Sequence, residues 1–172
     1  MNKCYSTVAL LLLSLTAAPA RAQQPRQFDL SLGWAPIFGD NVSFRVLPAW
    51  ALSFSGRDFG PVSPAVDVSG WYFGNAQSIH NVIAGPRFQP RGDGVRPFGQ
   101  VLAGVSVWYA YNAAVGFAVV PGGGVDVPVA DGRFSVRLEA DYFGMYSPGD
   151  YGRHYWGHVW RTSAGVVLVQ KR

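Results

Sequence analysis

From Phe134 to Tyr142 the chain alternates without interruption. Phe134, Val136, Leu138, Ala140 and Tyr142 share one parity, and Ser135, Arg137, Glu139 and Asp141 share the other. A two-residue period belongs to an extended strand, whose successive side chains point to opposite faces of a sheet. One face of this strand is therefore apolar, and the other carries three charges. Any fold the chain adopts must keep those two faces in different surroundings.

The same pattern recurs in seven further segments, separated by Gly, Pro and Asp turns. Eight strands are predicted in all, at 28–35, 42–54, 65–73, 79–89, 95–108, 115–129, 134–142 and 156–169. In the second, Val42, Phe44, Val46, Trp50, Leu52 and Phe54 oppose Ser43 and Arg45. In the fifth, Val101, Ala103, Val105 and Val107 oppose Gln100, Gly104 and Ser106. The polar face collects Arg45, Arg87, Arg137 and Arg161 against Asp29, Asp67, Asp126, Glu139 and Asp141. Alternation does not say which face points inward.

Composition agrees with a sheet. The chain has 21 Gly, 12 Pro and 15% aromatic residues, and the residues that favour helices, Glu above all, are scarce. No segment after residue 22 has 18 consecutive apolar residues, so a membrane-spanning helix is not expected.

The first 22 residues are expected to be a cleaved secretory signal: Lys3, the apolar run Val8 to Leu15, then Pro19-Ala20-Arg21-Ala22 as a small-residue cleavage site. Residues 23–172 form the predicted domain. Cys4 leaves with the signal, which excludes disulfides, thiolate metal sites and a cysteine nucleophile. Loss of Lys3 and Arg21 leaves twelve basic against ten acidic groups. So small an excess gives no ground for a nucleic-acid partner.

The tryptophans supply an orientation. In an up-and-down meander, odd strands end and even strands begin at the same rim. Trp34, Trp71, Trp108 and Tyr109 close strands one, three and five, Tyr142 closes strand seven, and Trp156 and Trp160 open strand eight. Five of six Trp thus fall at one rim, as an aromatic girdle at a membrane–water boundary requires, and Trp50 stands apart. The apolar face then looks out at hydrocarbon. A closed sheet satisfies every backbone group there, and eight strands enclose a space just wide enough for side chains. The expected fold is all-β: an eight-stranded antiparallel up-and-down transmembrane β-barrel with short periplasmic turns. Its interior is expected to be plugged by mutually neutralising charges.

Several stretches carry a resemblance. Asp67-Val68-Ser69-Gly70-Trp71-Tyr72, Ala84-Gly85-Pro86-Arg87-Phe88, Arg96 to Gly104, Gly122-Gly123-Gly124-Val125-Asp126, Arg137 to Tyr142 and Ser163-Ala164-Gly165-Val166 resemble bacterial outer-membrane β-barrel domains of the OmpA/OmpX type. The resemblance implies residence in outer-membrane lipid, insertion by the barrel-assembly machinery and both termini in the periplasm; a monomer is expected. It also implies a terminal aromatic on the last strand, where this chain has Leu168-Val169-Gln170-Lys171-Arg172. No helical wall-binding domain of the OmpA kind is expected.

Other motifs have plain explanations. Arg91-Gly92-Asp93 spells an adhesion tripeptide but reads as a hairpin turn. His154 and His158 would lie about 13 Å apart on a strand, too far to share an ion. Glu139 and Asp141, about 7 Å apart on one face, could be a catalytic carboxylate pair, but Arg137 beside them points to an ion-pair cluster. Ser78 and His80 could be nucleophile and base, although their order differs from the His-x-Ser of deacylating barrels. Asn41-Val42-Ser43 is a sequon in form alone, and Gly122 to Gly124 lacks the context of a phosphate loop. No catalytic, cofactor or metal set is expected. The predicted function is structural or surface contact through loops near 36–41, 74–78, 109–114 and 146–155. A small channel or lipid-modifying enzyme is the alternative, and a soluble secreted ligand-binding barrel is a third reading.

Overall fold

The computed structural model describes residues 28–34, 37–39, 49–56, 61–74, 77–90, 92, 94–109, 113–129, 134–148 and 154–170. The backbone of 28–34 and 37–39 is described without its side chains. The predicted signal, Arg45, Asn41-Val42-Ser43, Arg91 and Asp93 lie outside the described residues.

All the described elements are strands: β1 (Phe28–Trp34), β2 (Ile37–Gly39), β3 (Ala49–Gly56), β4 (Val62–Gly74), β5 (Gln77–Phe88), β6 (Arg96–Tyr109), β7 (Ala113–Val129), β8 (Phe134–Pro148) and β9 (His154–Gln170). Each pairs antiparallel with the next along the chain from β3 to β9, and β1 pairs with both β3 and β9. That last pairing closes the sheet into a barrel. Short β2 continues β1 in the same register against β9, with Trp34 opposite Ala164 and Ile37 opposite Arg161. Together β1 and β2 make one stave, so the barrel has eight.

The sheet closes with a stagger. Stepping through paired residues from Leu30 leads to Phe54, Val66, Ala84, Ala103, Val119, Gly144 and His158. The next residue, Val159, lies opposite Gly39, so the circuit returns about ten residues further along the first stave. This shear tilts the strands steeply against the barrel axis. Two lapses in the pairing fall at prolines, which have no N–H to donate. The β5–β6 ladder skips between Ala84 and Arg87, around Pro86, and the β7–β8 ladder skips between Val119 and Gly122, around Pro121.

The strands run further than the sequence suggests. β8 continues to Pro148 rather than stopping at 142, β7 starts at Ala113, and β2 occupies part of the loop expected near 36–41. At that rim the ladders reach to Gly74 opposite Gln77 and to Pro148 opposite His154. At the other rim the two ends of the sheet meet, Phe28 opposite Gln170.

The facing is polar inward and apolar outward. Val101, Val136 and Leu138 are 49%, 41% and 51% exposed, whereas Arg137 and Asp141 are 2% and 0% exposed. Every Asp, Glu and Arg among the described side chains is buried inside the barrel: Asp67, Arg87, Arg96, Asp126, Arg137, Glu139, Asp141 and Arg161. The outer wall is built from Val, Leu, Phe and aromatic residues such as Phe54, Val82, Val105 and Phe117. A protein folded in water would place these two sets the other way round.

Candidate functional site

The interior has two storeys. Towards the rim where the chain ends meet, it is a continuous polar network of four arginines and four carboxylates. Arg137 grips Asp126 with two bonds, Nε to Oδ1 at 2.7 Å and an N–H to Oδ2 at 2.9 Å. Gln89 donates to the same carboxylate at 2.9 Å, and Arg96 donates to Ser135 at 3.2 Å. One turn deeper, Arg87 donates to Ser53 and Ser55 and twice to Gln100 Oε1, at 2.9 and 2.6 Å. The Gln100 amide nitrogen then donates to Glu139 and Asp141. Through that amide the Arg87 charge reaches the acidic cluster without touching it. Both Arg87 and Arg137 also hold their guanidinium carbons 4.7 Å from the Phe98 ring centroid, within cation–π range.

At mid-height Arg161 ties three strands together. It donates to both oxygens of Asp67 on β4 at 2.9 and 3.1 Å, and twice to Asp141 Oδ2 on β8 at 3.0 and 2.6 Å, with Glu139 at 3.6 Å. Such bidentate, charge-assisted bonds are the strong kind. They are needed here, because a lone ion out of water is costly and removing one partner strands the other. Gly122 makes room for this centre: a Cβ at that position would lie 1.8 Å from Asp141 Oδ1.

Above Arg161 the interior turns apolar. Its guanidinium sits 5.0 Å from the Phe143 ring, which meets Trp71 edge-on at 4.8 Å. Ile79, Ile83, Leu102, Val120, Met145 and Val159 pack around them. A small polar island survives here, where Ser106 donates to Asn81 and Asn81 donates to Ser69. The charges expected to fill the interior therefore occupy one half of the barrel alone.

This corrects two of the girdle assignments. Trp71 is fully buried inside the barrel, because it shares the inward parity of Asp67 and Ser69 on β4. Trp108 shares the parity of Gln100 and Ser106 and packs against the interior apolar cluster. Both stand at the rim in height but face the wrong way to anchor in lipid. Trp50 corrects in the opposite sense. β3 begins at Ala49, so Trp50 lies at the aromatic rim, opposite Trp34, and its indole N–H donates to the Tyr72 hydroxyl at 3.2 Å.

The outward belt therefore comprises Trp50, Tyr72, Tyr109, Tyr142, Tyr146, Trp156 and Trp160. Trp156 and Trp160 are 60% and 48% exposed. Tyr142 stacks on His158 and hydrogen-bonds its Nδ1, and it meets Trp160 at 5.3 Å. Rings with polar tips gain by lying where an apolar phase meets water. The backbone of Trp34 belongs to this level, and its side chain lies outside the described set.

The remaining candidates separate. Glu139 and Asp141 both belong to the Arg161 network. Arg96, Gln89 and Gln100 were not among the predicted site residues, although their parity was readable. Asp29 pairs with Ser55 at the backbone, and its side chain lies outside the described set. Ser78 and His80 share the outer wall, where His80 is flanked edge-on by Tyr72 and Tyr109, each at 5.8 Å, and no hydrogen bond joins it to Ser78. His158 is held by Tyr142, and the side chain of His154 lies outside the described set. No group of three or more potential metal ligands occurs among the described residues.

No protein-family model matches the chain, and no curated protein matches it by sequence. Solved structures do. Neisserial surface protein A superposes with a TM-score of 0.59 at 14% identity, covering 83% of this chain and 96% of that one. The N-terminal β-barrel domain of Pseudomonas aeruginosa OprF gives 0.56 at 15% identity, covering 86% and 98%. Ail, the attachment invasion locus protein of Yersinia pestis, gives 0.53 at 10% identity, covering 87% and 100%. At such identities the likeness is one of fold, and it spans nearly the whole of each neighbour. With its closed eight-stave sheet, inward charges and outward aromatic belt, the chain has the fold of the small outer-membrane β-barrels of the OmpA/OmpX type.

Proposed function

We propose that the chain is a non-enzymatic barrel of the bacterial outer membrane, serving envelope structure or surface contact, with both termini in the periplasm. One observation carries this reading. All eight described Asp, Glu and Arg side chains are buried in a paired interior, while the described outer wall bears none. Such a wall suits hydrocarbon, where a closed barrel leaves no backbone group unpaired. The interior contacts that cross between strands, made by Arg161 and Gln100 and topped by the Trp71–Phe143 pair, support a scaffold over a channel. Among the described wall residues no Asp or Glu stands beside Ser78 and His80.

The hairpins at the aromatic rim, with the longer segment between β8 and β9, are then the surface-exposed end. The name of Ail as an attachment protein accords with a contact role at this end. Outer-membrane lipid and, during biogenesis, the barrel-assembly machinery are the partners this reading requires.

The test begins with gel mobility of the detergent-extracted protein, which should shift on boiling as a closed barrel unfolds. Planar bilayers containing it should show no conductance steps, and lipid A from expressing cells should keep its mass. Detergent-free solubility of the mature chain at high concentration would refute the membrane reading. Conductance or a lipid A mass change would refute the scaffold reading alone.

A further inference from the structure

We propose that Tyr142 and His158 form a proton-coupled redox site on the outer wall. Tyr142 yields one electron to an outer-sphere oxidant, such as a carbonate radical anion, and its hydroxyl proton passes to His158. This role goes beyond the scaffold reading and does not depend on it.

Two neighbouring strands build the site. The outward positions of β8 towards the aromatic rim are Tyr142, Gly144 and Tyr146, and they pair with Trp160, His158 and Trp156 of β9 in that order. Tyr142 and His158 are thus diagonal neighbours, a separation that aromatic side chains bridge. Gly144, directly opposite His158, puts no side chain beside the imidazole. The Tyr142 hydroxyl meets His158 Nδ1 in a hydrogen bond, with the two ring planes 21° apart.

A phenol that loses an electron becomes a strong acid, and its proton needs a base already in place. A neutral imidazole offers one ring nitrogen as acceptor, and Nδ1 stands at the hydroxyl. In the step, an electron leaves the Tyr142 ring for the oxidant, the phenolic O–H bond breaks and an Nδ1–H bond forms. The carbonate radical anion is reduced to carbonate, Tyr142 becomes a neutral tyrosyl radical and His158 an imidazolium. Among the described wall residues no Asp or Glu competes for the proton.

The neighbouring rings give the oxidant access. Trp156 and Trp160 are 60% and 48% exposed. Trp160 lies 5.3 Å from the Tyr142 ring, and Trp156 lies 5.4 Å from Tyr146. An electron taken from Trp160 is replaced from Tyr142, the ring that can shed a proton to a base.

A second cluster in the same belt has similar parts without the proton path. His80 stands edge-on between Tyr72 and Tyr109, 5.8 Å from each. The Tyr72 hydroxyl accepts from the Trp50 indole N–H, and among the described residues no hydrogen bond joins His80 to either tyrosine. Tyr72 and Tyr109 are 42% and 48% exposed, whereas Tyr142 is half-buried. Exposure alone would therefore have Tyr72 and Tyr109 oxidised first, and the proton path reverses that order.

The test holds the folded protein in vesicles of saturated phosphatidylcholine and generates tris(bipyridine)ruthenium(III) by light in the surrounding buffer. This oxidant takes electrons and no protons, and both clusters stand at the same rim. Peptide mapping after brief exposure should find Tyr142 oxidised about tenfold or more above Tyr72 and Tyr109. The freeze-trapped radical should give the electron paramagnetic resonance signal of a neutral tyrosyl. His158→Gln keeps a hydrogen-bond acceptor but no proton acceptor and should remove the preference, as should His158→Phe, whereas His80→Gln should leave it. Tyr142 oxidised no faster than Tyr72 and Tyr109, or a preference that survives His158→Gln, overturns the proposal. The comparison within the unaltered protein decides the matter even where a variant fails to fold, which boiling-dependent gel mobility would reveal.

Discussion

Removing the central arginine should expose how the interior is held. Arg161→Met keeps most of the side-chain length but deletes four hydrogen bonds, two to Asp67 and two to Asp141, inside a site that is 0% exposed. Breaking a buried pair from one side costs about 3–5 kcal/mol, chiefly because the abandoned charge has neither partner nor water. The two carboxylates are not equally abandoned. Asp141 still accepts from Gln100 at 3.0 Å, whereas Asp67 has no other hydrogen-bond partner among the described residues. Adding Asp67→Asn to Arg161→Met should therefore recover about 2 kcal/mol or more, and adding Asp141→Asn about 1 or less. Equilibrium unfolding in urea, with the barrel in lipid vesicles and tryptophan fluorescence as readout, measures each step. The reasoning fails if Arg161→Met alone costs less than about 1 kcal/mol, or if Asp141→Asn rescues better than Asp67→Asn.

Further variants test other layers. Val101→Arg, on the wall at mid-strand, should destabilise the folded barrel in vesicles by about 2–4 kcal/mol, whereas a wall facing water would tolerate it almost without loss. Trp71→Ala empties the interior between Phe143 and its neighbours and should cost about 3–5 kcal/mol in the same titration. Trp156→Ala, on the outer belt, should cost clearly less, since that side chain is 60% exposed. Gly122→Ala drives a methyl into the Asp141 carboxylate and should cost about 1–3 kcal/mol. Gly99→Ala, whose added Cβ would find its nearest atom 4.0 Å away, should stay within about 0.5 kcal/mol.

Much of this architecture was written in the alternation, because a two-residue period assigns a face to every side chain at once. On β8 the parity of Arg137, Glu139 and Asp141 against Val136 and Leu138 gave both walls of the barrel. The same rule would have turned Trp71 inward, two residues beyond Ser69. Height along the strand alone does not decide facing, and rim aromatics come in both orientations. A strand over 42–54 sets Trp50 near its end, whereas β3 starts at Ala49 and sets it near the start. The apolar upper storey was harder to see. Val101-Leu102 and Val119-Val120 are apolar on both parities, so nothing in those pairs says which member fills the barrel. Gln100 was visible as a polar residue of inward parity, but its role as a relay between Arg87 and the acids depends on a partner on another strand.

The reach of the Arg161–Asp67 pair has a consequence for biogenesis. Its two members are 94 positions apart in the chain, on β9 and β4. A sheet still flat would present both charges to whatever lies beside it, and a bilayer tolerates neither. On the membrane reading, rolling up accompanies or precedes entry into the lipid, and the last stave brings the cation that pairs with Asp67, laid down five staves earlier. Curvature, in this chain, is what makes immersion permissible.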